Sequence, residues 1–245
     1  MLNDKLPDQA VILAAGLATR LRPITQDMPK ALVPIHGRPI IDFIFDQLKN
    51  INIKNVVVNA HYFYEQIEHH LQKYSDFNIQ ISREKEILET GGGIKQALSF
   101  LKNDIFFVIN AKILWSNGKI NVLKRLVNFW DSKKMDALLL LHPTVSAVGY
   151  EGMGDFFLDQ NGLVSRRKNL QISPFLFTGI QLLHPKIFQN TPDGFFSMNL
   201  IYDKLIQDKK LYGIRHDGEW FHISTPKHLI EVENKFLDKN ESFYG

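Results

Sequence analysis

The sequence predicts an α/β fold: a doubly wound, mostly parallel sheet with a small antiparallel β extension. Three observations point to it. Short apolar runs at residues 10–13, 56–59, 79–81 and 105–109 read as buried strands. Between them lie stretches with apolar residues at helical spacing, the clearest being Ile41, Ile44, Phe45 and Leu48. The connections are short, so strand and helix alternate as they do in parallel β–α–β units.

Taken in order, residues 10–13 form the first strand, and Gly37-Arg38-Pro39 makes a turn into the helix that carries Ile41. A strand at 56–59 leads to a helix over 64–74, with Ile67 and Leu71 facing inward. On that helix His69 and His70 point in different directions and read as solvated. The strand at 79–81 is followed by a glycine loop at 88–93 and a helix over 94–101. The strand at 105–109 runs into Asn110-Ala111-Lys112, then come a helix over 121–132 and a strand over 136–141. Beyond Pro143 the pattern changes. A hairpin turns at Gln160-Asn161-Gly162, a long strand covers 175–183, and residues 143–183 read as an antiparallel extension lidding a pocket. A helix over 198–207, a strand over 211–214 and a helix over 226–237 complete the chain. The last starts on a Thr225 cap with Pro226 at its first position.

Composition narrows the function. The chain has 245 residues, 44% hydrophobic and 22% charged, in the range of globular domains. A net charge of +3 argues against a nucleic-acid surface, and the lack of cysteine excludes disulfides, thiol chemistry and Cys-ligated zinc. No run approaches the roughly 20 apolar residues of a membrane span, and the first residues lack an apolar signal core. A cytoplasmic protein without a membrane or nucleic-acid partner is expected, as a monomer or homodimer.

The chemistry concentrates in residues 13–34, LAAGLATRLRPITQDMPKALVP. Leu13 ends the first strand, and Ala14, Ala15, Gly16, Leu17, Ala18 and Thr19 make a turn of mostly small residues. Small side chains let the backbone approach a ligand, and successive amides can cradle phosphate oxygens. Arg20 and Lys30 add fixed cations, so the stretch reads as a polyphosphate site. It is neither G-x-G-x-x-G nor the P-loop pattern. The bland alternative is an ordinary strand-to-loop connection with solvated arginines.

This stretch resembles the signature of the sugar-1-phosphate nucleotidyltransferases, roughly L-A-A-G-x-G-T-R-L-x-P-L-T-x-x-x-P-K-P-L-V-P. Ala18 stands where that family usually has Gly, and Ala31 where it often has Pro. LETGGG at 88–93 is similar to the family's base-recognition loop. G-x-G-D-F around Asp155 and F-T-G-I around Thr178 and Gly179 resemble its sugar-side segments. Residues 220–226 resemble its closing W-x-D-V-G-T-P. The likeness is nearest to the N-acetylmuramate-1-phosphate uridylyltransferases, with mannose-1-phosphate guanylyltransferases close by. It implies a Rossmann-like nucleotide-diphospho-sugar transferase fold in one domain, 1–245. Residues 10–142 would bind nucleotide, 143–225 sugar phosphate, and 226–245 would form a C-terminal helix and tail.

The resemblance implies transfer of NMP from UTP or GTP to a sugar 1-phosphate, releasing pyrophosphate. Arg20 would hold the triphosphate and stabilise the leaving pyrophosphate, and Lys30 would sit by the α-phosphate. Residues 13–19 with Glu89, Thr90, Gly91, Gly92 and Asn110 would bind nucleotide. Asp155, Thr178 and Gly179 would bind sugar phosphate. Mg2+ is implied as well, held by two aspartates, but those positions are Lys112 and His222 here. An imidazole can serve a metal shell; a charged ammonium cannot ligate Mg2+ and repels it. Either Lys112 replaces part of the metal's charge, with one charge for two, or the chain is a catalytically impaired binding homologue. Of the nearby carboxylates, Glu219 points to the other face of a continuous strand and Asp217 lies in the preceding turn, while Glu89 and Asp155 could reach in.

Two other enzyme classes compete with this reading. A phosphocholine cytidylyltransferase would need an aromatic or acidic box, for which Trp115, Trp130 and Trp220 are candidates. A glycosyltransferase would show Asp-x-Asp, which this chain lacks. His142 and His184 read as strand-boundary residues, and Arg166-Arg167-Lys168 as a solvated turn.

Overall fold

The computed structural model describes residues 7–102 and 104–237. The first strand, β1 (Gln9–Leu13), lies at the middle of a nine-stranded sheet. After the phosphate-site stretch come two short strands, β2 (Pro34–Ile35) and β3 (Arg38–Pro39), joined through His36 and Gly37 at positive φ. They lead into α1 (Ile40–Lys49), whose Ile41, Ile44, Phe45 and Leu48 are all fully buried. Burial of each such side chain contributes about 1.5–3 kcal/mol, so this face seats the helix on the sheet.

The parallel half continues with β4 (Asn55–Ala60), α2 (Tyr64–Leu71), β5 (Asn78–Arg83), α3 (Glu89–Ala97) and β6 (Phe106–Asn110). Strands β6, β1, β4 and β5 lie side by side and parallel. Helix α2 ends three residues short of the expected Tyr74, whose ring instead stacks on Phe45 with centroids 4.3 Å apart. His70, expected in solvent, reaches the buried Asp42 of α1 at 2.6 Å, and Lys73 reaches the same carboxylate at 2.7 Å. A buried carboxylate requires such partners, and they hold Asp42 below its ordinary range against the opposing effect of burial.

A second correction concerns α3. The sequence reads residues 88–93 as a loop, yet the helix begins at Glu89 and carries all three glycines. Glycine disfavours a helix by about 1 kcal/mol per residue, and tertiary packing overrides that here. A Cβ on Gly91 would lie 2.4 Å from the Phe196 ring, and one on Gly92 only 1.9 Å from the Gly194 carbonyl oxygen.

The other half comprises β7 (Ile113–Trp115), α4 (Val122–Phe129), β8 (Ala137–Pro143), β9 (Phe156–Leu158), β10 (Val164–Arg166) and β11 (Phe175–Leu183). It ends with α5 (Met198–Gln207), β12 (Leu211–Arg215), β13 (Trp220–His222) and α6 (Pro226–Leu237). Thr225 caps α6 through its hydroxyl, which accepts from the His228 amide at 3.3 Å. The antiparallel strands are present, but they continue the main sheet instead of lidding it. The order is β10-β9-β11-β6-β1-β4-β5, with β8 and then β12 beyond β11.

One strand sets up the site. Along one edge, β11 pairs antiparallel with β6 through Ile180–Leu183 and with β9 at Phe175, while its other edge pairs with β8. Its register against β8 shifts between Phe177 and Gln181, so the sheet opens between the end of β6 and β9. Gly179 lies in that irregularity at φ +87°, and a Cβ there would meet the Asn110 side chain at 2.7 Å.

Candidate functional site

Leu13, Asn59 and Asn110 lie at the carboxyl ends of β1, β4 and β6, Asn59 one residue before the last of β4, and a cleft opens over them, where ligands of open α/β sheets bind. Its volume is about 420 Å³, and residues 13–20 line one wall with Lys30 and Ala31. Glu84, Ile87, Glu89 and Thr90 line another, with Asn110, Ala111, Lys112 and Ser224. The loop after β1 is held from below. Asn59 accepts from the Ala14 amide at 2.6 Å and donates to the buried Glu84 at 2.6 Å; Glu84 accepts in turn from the Leu88 amide at 3.0 Å. Burial raises the Glu84 pKa. This pair links the loop after β1 to the start of α3, and no local motif marks it in the sequence. Its one sequence signal is Asn59's position at the carboxyl end of a strand.

Ala18, at the family's glycine position, adopts the left-handed conformation at φ 50°. Its carbonyl accepts from the Leu21 amide at 3.0 Å and from the Thr25 hydroxyl at 2.9 Å. The bend is thus enforced by its neighbours. It turns the chain into the short helical segment that carries Arg20.

Three cations share this cleft: Arg20, Lys30 and Lys112. Burial, then the charges of Lys112 and Arg20, push the Lys30 ammonium down to about 7. Lys112 is lowered too, by desolvation first and Arg20 second, with Glu89 and Asp155 acting in the opposite direction. Lys112 lies open to the cleft yet crowded by protein on its other sides. A cleft that gathers three basic side chains is arranged for an anion.

A second pocket of about 210 Å³ opens where β11 separates β6 from β9. Asp155, Thr178 and Gly179 line it, together with Tyr150, Arg166, Asn199, Tyr202, Trp220 and His222. Asn110 and Lys112 belong to both pockets, so the two meet there. The Asp155 carboxylate accepts from the Phe177 amide at 2.8 Å. The Thr178 hydroxyl is engaged inside the sheet, donating to the Leu140 carbonyl at 2.8 Å.

Several sequence readings change. Gly91 and Gly92 line neither pocket; their amides donate to the Phe196 carbonyl at 2.9 and 3.1 Å, because α3 packs against the segment before α5. Arg166 is no solvated turn residue. It pairs with Asp203, donates to Asn199 at 2.8 Å and faces the second pocket, because β10 pairs with β9 and lies against α5. His142 is buried, with its ring 5.5 Å from that of His216 and 6.1 Å from Trp220. Asp217 is ion-paired with Arg125 outside both pockets. Trp130 belongs to the core and Trp115 to the β7–β13 ribbon; of the three tryptophans only Trp220 lines either of these two pockets.

The metal implied by the resemblance does not fit these residues. His222 is crowded against Trp220 at 5.7 Å, and burial with the charges of Lys112 and Lys30 pushes it down to about 3. It is therefore neutral, and its buried Nε2 has no partner. Among the described residues, no group of three His, Cys, Asp or Glu side chains is placed to hold a metal ion. Where Mg2+ would call for oxygens, this chain presents an ammonium and one imidazole.

The sheet and the paired pockets define an α/β protein built to bind polyphosphate beside a second, polar ligand. The comparisons narrow that class. The family described as "Nucleotidyl transferase" matches residues 9–154. N-acetylmuramate alpha-1-phosphate uridylyltransferase of Caulobacter vibrioides is 36% identical over 96% of this chain and 99% of its own length. D-glycero-alpha-D-manno-heptose 1-phosphate guanylyltransferase of Campylobacter jejuni is 39% identical over 50% of this chain and 60% of its own. The solved structure of a UDP-glucose pyrophosphorylase complexed with UDP-glucose superposes with a TM-score of 0.77 at 18% identity, over 95% of this chain and 99% of that one. The chain belongs to the nucleotidyl transferase family.

Proposed function

We propose that this protein transfers a nucleoside monophosphate from UTP or GTP to a sugar 1-phosphate, releasing pyrophosphate and forming an NDP-sugar. The observation that carries the reading is the meeting of a tricationic cleft and a polar pocket at Asn110 and Lys112. Transfer between two anions needs them brought together and their charge compensated, and such a junction does both. Residues 13–19 cradle the triphosphate, with Glu89, Thr90 and Asn110 along the nucleotide. Arg20 holds the β- and γ-phosphates, and Lys30 lies by the α-phosphate. Asp155, Gly179 and Arg166 position the sugar phosphate. An oxygen of the sugar phosphate attacks the α-phosphorus, and the bond from that phosphorus to the bridging oxygen breaks. Pyrophosphate leaves with the electron pair. The nucleophile is already ionised, so no side chain need accept a proton.

Residues 10–142 then supply the nucleotide side and 143–225 the sugar side of one catalytic unit, acting in the cytoplasm as a monomer or homodimer. The Caulobacter relative points to UTP and N-acetylmuramate 1-phosphate as the first pair to try. A pyrophosphate-release assay across four nucleoside triphosphates and a panel of sugar 1-phosphates, with and without Mg2+, tests the reading. Turnover with a sugar 1-phosphate supports it. Nucleotide binding without turnover for any pair selects a second reading, a non-catalytic binding homologue, which Lys112 and His222 favour.

A further inference from the structure

We propose that this chain takes its nucleoside triphosphate free of divalent metal, with the Lys112 ammonium standing where a cation would join the two pockets. The inference rests on the nucleotidyl-transfer reading and concerns how that same site compensates charge.

Position is the first support. Lys112 and Asn110 are the residues common to both pockets. An ammonium has three N–H donors, so one lysine at this border can donate to a phosphate on each side.

The backbone there is fixed. The Lys112 amide donates to the Asn110 carbonyl at 2.8 Å, and its own carbonyl accepts from the Ile223 amide at 3.1 Å. The next residue, Ile113, pairs with His222 in the β7–β13 ribbon. The ribbon therefore sets Lys112 and His222 next to each other, and neither is a carboxylate. A single changed residue would leave half a metal site; here both positions differ, and in compatible ways. His222 donates to the Gly149 backbone, which leaves Nε2 with an unpartnered lone pair. That Nε2 lone pair can accept from the neighbouring ammonium.

Charge completes the argument. A site with Arg, Lys, two carboxylates and one divalent ion sums to +2. Here Arg20, Lys30 and Lys112 bring three basic side chains to one cleft with no ion at all. A divalent cation entering this cleft would meet repulsion from these basic groups, whereas a triphosphate is drawn to them. Glu89 in the first cleft and Asp155 in the second favour the charged form of Lys112.

The test is calorimetric titration of UTP and of GTP into the full chain, in excess EDTA and in millimolar Mg2+. The wild-type protein is expected to bind one of them in EDTA at least as tightly as in Mg2+. Lys112→Met is expected to weaken binding in EDTA by about tenfold to a hundredfold, the worth of a charge-assisted contact, and Lys112→Arg to retain it. The double variant Lys112→Asp, His222→Asp should reverse the dependence and bind only with Mg2+. If that variant does not fold, the Lys112→Met and Lys112→Arg pair decides. Wild-type binding that weakens tenfold or more in EDTA overturns the inference and leaves the nucleotide reading standing. Equal binding by wild type and Lys112→Met in EDTA overturns it as well. Failure of UTP, GTP, CTP and ATP to bind in either buffer overturns the nucleotide reading, and this inference with it.

Discussion

The two pockets meet at Lys112 but are built differently. The first cleft is cationic, and its longest continuous wall is one stretch, residues 13–20, over the ends of parallel strands. The second pocket is assembled from β9, β10, β11, α5 and β13, and its one arginine is already matched by Asp203. The first is an unbalanced field awaiting an anion; the second is a shaped polar recess. The difference teaches that charge drives binding on one side of the junction, and that geometry selects the ligand on the other.

Substitutions can break that division. Arg20→Ala is expected to have the largest effect, lowering the rate of pyrophosphate release by about 10²- to 10³-fold, as loss of a group that stabilises developing charge does. Steady-state kinetics with saturating sugar phosphate measure it, and an unchanged rate would remove Arg20 from the phosphate path. Arg166→Ala should act on the other side, raising KM for the sugar phosphate about tenfold while calorimetric nucleotide affinity stays the same. A matching loss of nucleotide affinity would show that the two pockets do not divide the work.

A subtler contrast is in protons. Burial and the neighbouring cations hold Lys30 at about 7, so near pH 8 it is largely neutral. A bound triphosphate favours the ammonium and raises the pKa, so binding takes up a proton above pH 7 and none well below it, where the lysine is already charged. Titrations at pH 8 and pH 6 in buffers of different ionisation enthalpy should show uptake at pH 8 alone. The smallest effect concerns Ala18. Its left-handed backbone carries strain that glycine relieves, so Ala18→Gly should stabilise the fold by about 0.5–1 kcal/mol. A melting temperature that is unchanged or lower would mean that the lost methyl contact matters more than the strain.

Much of the fold and part of the site were legible in the chain itself. The buried runs of β1, β4 and β6 and the apolar face of α1 declare themselves through period and composition. The spacing of Arg20 and Lys30 around a turn of small residues is likewise local. Arg166 was not legible: in sequence it begins a basic triplet, and only pairing with β9 and contact with α5 carry it to a pocket. His70 and His142 share that history, each placed by partners far along the chain.

What the sequence determined by itself is the small-residue loop with Arg20 and Lys30 and the parallel sheet beneath it, because both arise from residues close in the chain that act through short-range geometry and solvation. Tertiary structure alone decided that Gly91 and Gly92 serve packing against Phe196 and Gly194, and that β11 opens the sheet to form the second recess. It also decided that Lys112 lies where the two cavities join. The physical reason is range: each of these depends on contacts between segments dozens of residues apart, and no local pattern records which distant segment arrives.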